Sequence, residues 1–197
     1  IFHIEHENPV IIFKEAIVNV IKKIKMLRST VNITDPTINK VTREVSVKLI
    51  DDISPYKFLL NTFYPQGAKQ NYNIIRQQLQ LTSDSIFSIT KNKYKKGLKL
   101  ILDEIEDKKD KKIFEGFANV GSDTSYLARF FNQVISVEFN QVNYSALEHN
   151  TKIMKLNNVE IYLGDTVKYI EFPSILLQCD CIYFDPPWLR KNEDESN

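Results

Sequence analysis

The chain has 197 residues, with 43% hydrophobic and 26% charged side chains. That is the balance of a soluble globular protein with room for one ordinary domain and a small extra piece. A net charge of +1 excludes global basicity as a route to nucleic acid, so any such surface has to be a local patch. No run is long and apolar enough to span a membrane, and no secretory signal is visible. The chain starts at Ile1 rather than methionine and stops soon after a motif, so both ends read as cut.

Residues 1–28 read as a strand followed by a helix. Ile1–His6 alternates, and Asn8–Pro9 is a helix-start signal. Ile12, Phe13, Ala16, Ile17, Val20, Ile21 and Ile24 recur at helical spacing, opposite a solvated face of Lys14, Glu15, Lys22, Lys23 and Lys25. The unit resembles the C-terminal strand and dimerisation helix of the small assembly subunits of multisubunit RNA polymerases. That resemblance implies an assembly element, with RNA polymerase or the capping machinery as partner; a generic packing helix is the competing reading. His3 and His6 fit strand surface better than any ligand template.

Residues 29–68 form a linker or irregular extension. Thr30–Lys40 has loop composition, Val41–Ile50 alternates as a strand, Ser54–Tyr64 reads as a short helix with Pro55 in its first turn, and Pro65–Gly67 marks a turn. A third unit, residues 69–197, begins with a helix over Asn71–Leu81. A break at Thr82–Ser85 and an extended piece, Ile86–Thr90, follow. From Lys91 a helix carries Tyr94, Leu98, Ile101, Leu102 and Ile105 on one face. The charge run Glu106–Lys112 is a solvated turn into the next strand.

The chain is organised around Lys112–Asn140. Ile113, Phe114 and Phe117 make a short apolar run around Glu115. Asn119, Gly121, Ser122 and Asp123 punctuate a loop that turns into a helix over Thr124–Phe131. Val134–Phe139 is a second strand with Glu138 near its end. Ligands of open α/β sheets bind outside the carboxyl ends of the strands, and an acid about 20 residues after the glycine loop takes ribose hydroxyls. Glu138 stands at about that interval, so the stretch reads as a nucleoside-cofactor site. Helix Asn143–Met154, strand Val159–Tyr162, Gly164–Asp165, a short helix around Thr166–Tyr169, and strand Cys179–Phe184 complete the alternation and deliver Asp185–Pro186–Pro187–Trp188. Strands separated by helices predict a parallel sheet buried on both faces. Cys179 and Cys181 alternate within one strand, which is poor geometry for a disulfide and fits a reducing compartment. No second pair or neighbouring histidine completes a metal site, so none is expected.

Glu115-x-x-x-Asn119-x-Gly121, Glu138, Gly164–Asp165 and Asp185–Pro186–Pro187–Trp188 together resemble, in order and spacing, the class I S-adenosylmethionine-dependent methyltransferases. The likeness covers about residues 70–190. Within that superfamily the chain is most similar to trimethylguanosine synthase, the RNA cap guanine-N2 methyltransferase. Ile86–Phe87–Ser88–Ile89–Thr90 stands where that family has a W-F-S-V-T element, and E-G-F-A-N-V-G-S-D-T resembles its D-A-F-C-G-V-G-G-N-T loop. The implied fold is α/β: a Rossmann-like class I methyltransferase sheet, C-terminally truncated, with a mainly helical N-terminal extension. Three departures stand out. Asn119 replaces a glycine, which is tolerable because asparagine accepts positive φ better than most residues. Leu189–Arg190 replaces glycines after the tryptophan. Four strands stand where the family has seven.

The resemblance implies S-adenosylmethionine as cofactor. The Phe117–Ala118–Asn119–Gly121 backbone would cradle its methionine part, with Glu115 near the ammonium. Glu138 would take the ribose hydroxyls and Asp165 the adenine amine, with Phe87, Ser88 and Phe139 as further contacts. Asp185 and the Pro186 carbonyl would accept hydrogen bonds from an exocyclic amine, Pro187 would stiffen the turn, and Trp188 would stack on the base. The expected reaction is methyl transfer to N2 of the 7-methylguanosine cap of RNA. Adenine or guanine amines of DNA or other RNA form the second reading, and a non-catalytic module of the transcription apparatus the third. The expected location is intracellular: the nucleus, or the cytoplasm of a cell infected by a large DNA virus.

Overall fold

The computed structural model describes residues 47–171 and 174–186. The strand-helix unit expected over residues 1–28, and Pro187, Trp188 and Leu189–Arg190, lie outside the described residues.

Four parallel strands make one sheet: β1 (Lys112–Gly116), β2 (Gln133–Glu138), β3 (Val159–Leu163) and β4 (Cys181–Phe184). Their spatial order is β3-β2-β1-β4, so β1 and β2 are central and the chain crosses over after β3. The period of two along each strand divides the core. Ile113, Val134 and Cys181 face one apolar cluster; Phe114, Ile135, Val137 and Ile182 face the other. Burial on both sides is what a parallel sheet requires.

The helices are α1 (Lys57–Leu60), α2 (Tyr72–Arg76), α3 (Ser85–Ser88), α4 (Asn92–Asp103), α5 (Ser122–Leu127), α6 (Gln141–Ile153) and α7 (Thr166–Glu171). Leu59 and Leu60 of α1, Phe63, Leu102 of α4, Leu127 of α5 and Ala146 of α6 share the first cluster. Ile170 and Leu176 cover the second face. A 3₁₀ turn at Ser54–Tyr56, with Pro55 in it, leads into α1 where the sequence predicts a short helix.

Three local expectations change. The helix predicted over Asn71–Leu81 ends at Arg76. The buried Asn150 side chain explains why: its Oδ1 accepts the Gln80 N–H at 2.7 Å, and its Nδ2 donates to the Gln80 carbonyl at 2.9 Å. Both backbone groups of Gln80 are thereby satisfied outside a helix, while Leu79 and Leu81 turn into the core. Ile86–Thr90 is not extended; Ser85–Ser88 is a helical turn. Its start is closed reciprocally: Thr82 N–H donates to Ser85 Oγ at 2.8 Å, and Ser85 N–H to Thr82 Oγ1 at 3.1 Å. This is the logic of a capping box, written with a serine at its far end. In α4, Tyr94 and Ile101 are exposed, whereas Lys95 is buried beside Leu102 and Ile105 in the interior. No helix among the described residues is long and apolar enough to cross a membrane.

Candidate active site

The loop between β1 and α5 turns on three residues with positive φ: Phe117 (66°), Asn119 (53°) and Gly121 (90°). Asparagine reaches this region at little cost and glycine at none, whereas Phe117 is strained there. Several bonds hold the loop. Ala118 N–H donates to the Val137 carbonyl at 3.0 Å. Asn119 N–H donates to Glu138 Oε2 at 2.8 Å, and Asn119 Nδ2 to Ser88 Oγ at 2.7 Å. Asn150 Nδ2 donates to the Val120 carbonyl at 2.8 Å. Space is tight: a Cβ on Gly116 would collide with Thr166 Cγ2, and one on Gly121 would stand 2.7 Å from Leu147 Cδ1.

A cavity of about 600 Å³ opens at the carboxyl ends of the strands. Phe117, Ala118 and Asn119 follow β1 into its wall; Glu138, Phe139 and Asn140 end β2; Asp165 follows β3; Asp185 and Pro186 follow β4. Phe87 and Ser88 of α3 and Thr90 close another side. The structure therefore gathers every sequence-predicted site residue that it describes, except that Gly121 sits just behind the wall as the N-cap of α5. Its carboxyl side chains are Asp84, Glu115, Asp123, Glu138, Asp165 and Asp185; no lysine, arginine or histidine among the described residues lines it.

Glu115 is buried, and its Oε2 accepts from Thr124 Oγ1 and Ser136 Oγ, both at 2.6 Å. Burial pushes its pKa up to about 8, against the opposing effect of these two hydroxyls. Glu138 is also held above the ordinary carboxylate range by burial, although Asn140 N–H donates to its Oε1 at 2.8 Å and Asn119 N–H to its Oε2. Each of its oxygens keeps acceptor capacity. Asp165 Oδ1 accepts the Val167 N–H at 3.0 Å and so starts α7. Phe87 (66% exposed) and Phe139 (72%) are solvent-facing aromatics on the cavity wall.

Beneath this wall lies a group that the sequence did not single out. Lys95 Nζ is buried; it donates to the Thr62 carbonyl (2.9 Å), the Ser122 carbonyl (2.9 Å) and Ser122 Oγ (2.8 Å). It also pairs with Asp123 Oδ1 at 3.0 Å. Burial pulls its pKa down, and Asp123 opposes that. Asp123 Oδ2 in turn accepts from Thr90 Oγ1 at 2.7 Å and Tyr183 Oη at 3.0 Å. Burial first, then the Asp123, Asp185 and Glu115 carboxylates, raise the Tyr183 phenol. In sequence Lys95 belongs to a lysine-rich helix and looks solvated; its place three and seven residues before Leu98 and Leu102, on the apolar side, was the available signal.

The residues fit a nucleoside cofactor. The cavity volume is in the range of small-molecule sites, the positive-φ loop brings backbone close, and buried acids suit hydroxyl and ammonium donors. Residues 110–189 match the family model described as RNA cap guanine-N2 methyltransferase. That match runs from the strand bearing Glu115 through the Asp185 turn, across a sheet of order β3-β2-β1-β4. Over these residues the chain is similar to an S-adenosylmethionine-dependent methyltransferase. The chain is similar to an uncharacterized protein of Acanthamoeba polyphaga mimivirus, with 34% identity over 39% of this chain and 29% of that protein. It is also similar to the ribosomal RNA small subunit methyltransferase J of Bdellovibrio bacteriovorus, with 29% identity over 42% of this chain and 34% of that one. Among solved structures, a dimethyladenosine transferase from Plasmodium falciparum is 23% identical, with a TM-score of 0.37 over 45% of this chain and 32% of that one. The chain spans about a third of the length of the curated relatives it matches.

Proposed function

We propose that the chain transfers the methyl group of S-adenosylmethionine to an exocyclic amine of a nucleobase, with N2 of the 7-methylguanosine RNA cap as acceptor. The observation that carries this reading is the convergence, in one acid-lined cavity, of the Phe117–Gly121 loop and Glu138 with the Asp185–Pro186 turn. The family-model match supports the cap guanine as the acceptor.

S-adenosylmethionine supplies an activated methyl on a sulfonium; the protein binds, orients and shields. Glu138 Oε1 and Oε2 are turned by Asn140 and Asn119 so that their remaining lone pairs can take the ribose hydroxyls. Glu115 loses its proton when an ammonium group comes within contact, because the opposite charge offsets its burial. Asp185 and the Pro186 carbonyl accept the acceptor amine's N–H groups and aim its lone pair at the methyl. The gain is positioning, plus acceptors placed where positive charge develops on nitrogen. Trp188 stacks on the base, worth about 1–3 kcal/mol. An N7-methylated guanine is cationic, and a cavity lined by acids favours it.

A second reading is supported by the relative named as a ribosomal RNA methyltransferase: the acceptor is a base amine in another RNA. Residues 1–28 would tether the domain to a polymerase or capping partner in either case. The test is transfer of labelled methyl to 7-methylguanosine-capped RNA, uncapped RNA and DNA, with the chain carrying its native C-terminus. Label on capped RNA alone supports the cap reading. Label on the others moves the acceptor to a general base amine. No label and no cofactor binding leaves a non-catalytic module.

A further inference from the structure

Asp123 stands at the start of α5, two residues after the N-cap Gly121, yet its bonds reach other elements. Its Oδ2 accepts from Thr90 Oγ1 at 2.7 Å and from Tyr183 Oη of β4 at 3.0 Å. Its Oδ1 lies 3.0 Å from Lys95 Nζ. An ammonium has three protons. Lys95 directs them at the Thr62 carbonyl, the Ser122 carbonyl and Ser122 Oγ, none farther than 2.9 Å. Among the described residues, Oδ1 is therefore buried with the lysine's charge beside it and no hydrogen bond of its own. The hydrogen bonds from Thr90 and Tyr183 both fall on Oδ2, and both come from outside α5. The β1–β4 ladder ends at Gly116 and Phe184. Beyond it the loop after β1 and the Asp185–Pro186 turn leave the sheet separately, and Asp123 reaches across from the far end of that loop. Tyr183 is two residues before Asp185, and Thr90 lies 3.4 Å from Asp185 Oδ2 while bonded to Asp123.

We propose that Asp123 is a positioning residue: charge-paired with Lys95, it clamps the end of β4 to the start of α5 and so sets the separation between the loop after β1 and the Asp185–Pro186 turn. This rests on the proposed reading of the cavity, in which the loop holds the methyl donor and the turn holds the acceptor amine. The clamp sets where the turn stands and makes no demand on the other contacts of Asp185. Through the Thr62 carbonyl, Lys95 ties it to the segment after α1 as well. In-line transfer needs the reacting atoms about 3–3.5 Å apart, and a misplacement of about 1 Å costs on the order of 10² in rate.

Tyr183→Phe, Asp123→Asn and the double variant test this. The first readout is amide exchange of the ligand-free chain. Tyr183→Phe removes one hydroxyl from β4. Exchange should then quicken about fivefold beside residue 183 and also at the Gly121 and Ser125 amides, which bond to the Ala118 and Gly121 carbonyls. Amides of β3 should exchange as in the parent. Quickening confined to β4 overturns the clamp, and so does an equal quickening of every amide, which is global destabilisation. Tyr183→Phe is nearly isosteric and keeps the test decisive if Asp123→Asn does not fold. The second readout is methyl transfer beside S-adenosylmethionine affinity. Each single variant should lower kcat about tenfold with affinity within about twofold. The double variant should be no slower than Asp123→Asn, because both changes remove the same link. Losses that multiply overturn the proposal, and a parallel loss of affinity makes Asp123 a cofactor contact and overturns it too. Exchange reads the clamp with no acceptor present. Coupled exchange without transfer to any acceptor would support the clamp and sink the methyltransferase reading, so the two failures are separate outcomes.

Discussion

Glu138 and Asn119 lock the end of β2 to the loop after β1. The Asn119 N–H, in a backbone with φ of 53°, donates to Glu138 Oε2 at 2.8 Å, while Glu138 Oε1 accepts the Asn140 N–H at the start of α6. One carboxylate therefore shapes the loop and faces the cavity. Glu138→Ala should weaken S-adenosylmethionine binding about 10- to 100-fold, the worth of hydrogen bonds to a charged acceptor. It should also lower stability by about 1–3 kcal/mol, because the Asn119 N–H loses its partner. Calorimetric titration and urea unfolding measure the two effects. Unchanged affinity would remove Glu138 from the cofactor site.

Asp185 should matter to transfer and not to cofactor capture. Asp185→Ala is expected to lower kcat by about 10²–10³, the scale of losing one preorganised electrostatic contact, while cofactor affinity stays within about twofold. Single-turnover transfer beside equilibrium binding separates these quantities. A variant as active as the parent would end the amine-positioning role.

Glu115 makes the stability of the ligand-free protein depend on pH. Its native pKa, about 8, lies above the ordinary value of 4.5. Between these values the native state holds a proton that the unfolded state has released. Its contribution is thus fully present below pH 4.5 and is lost as pH rises toward 8. Glu138, also raised, acts in the same direction. Glu115→Gln, whose amide oxygen can still accept from Thr124 and Ser136, should flatten the fall, a difference on the order of a few kcal/mol at pH 8. Unfolding curves at pH 5, 6.5 and 8 check this; parallel pH profiles for the two proteins would contradict it.

Asn150 is fully buried and serves three backbone groups: Gln80 N–H, the Gln80 carbonyl and the Val120 carbonyl. Asn150→Ala should cost about 3 kcal/mol or more, since each orphaned group forfeits about 1–3 kcal/mol. It should also loosen the loop between β1 and α5 at Val120. Thermal unfolding and amide exchange at residues 80 and 120 read both consequences. A loss below about 0.5 kcal/mol would mean that water replaces the side chain without penalty.

The sheet and the loop between β1 and α5 were legible because their residues speak locally. Apolar strands end on Glu115, Glu138 and Asp185; Asn119 and Gly121 announce positive φ; the alternation of strands and helices sets a parallel sheet. What was hidden depends on partners distant in sequence. Lys95 sits among Lys93, Lys96 and Lys99, and only the placement of Ser122 and Asp123 gives it reason to be inside. The end of α2 at Arg76 is set by Asn150, about 70 residues on. Ile86–Phe87–Ser88–Ile89 has strand composition, yet Thr82 and Ser85 close a helical turn through it.

The position of β1 also has a consequence for the chain as it is synthesised. Ile113 pairs with Val134 on one side, about 20 residues on, and with Cys181 on the other, about 70 residues on. At roughly 5–20 residues per second, the β2 side of β1 has its partner within a few seconds of emerging from the ribosome. The β4 side waits longer, with Ile113 and Phe114 uncovered. The nascent β1–β2–β3 sheet thus exposes an apolar, unpaired edge during translation, and a chaperone that holds extended apolar segments would find its target there.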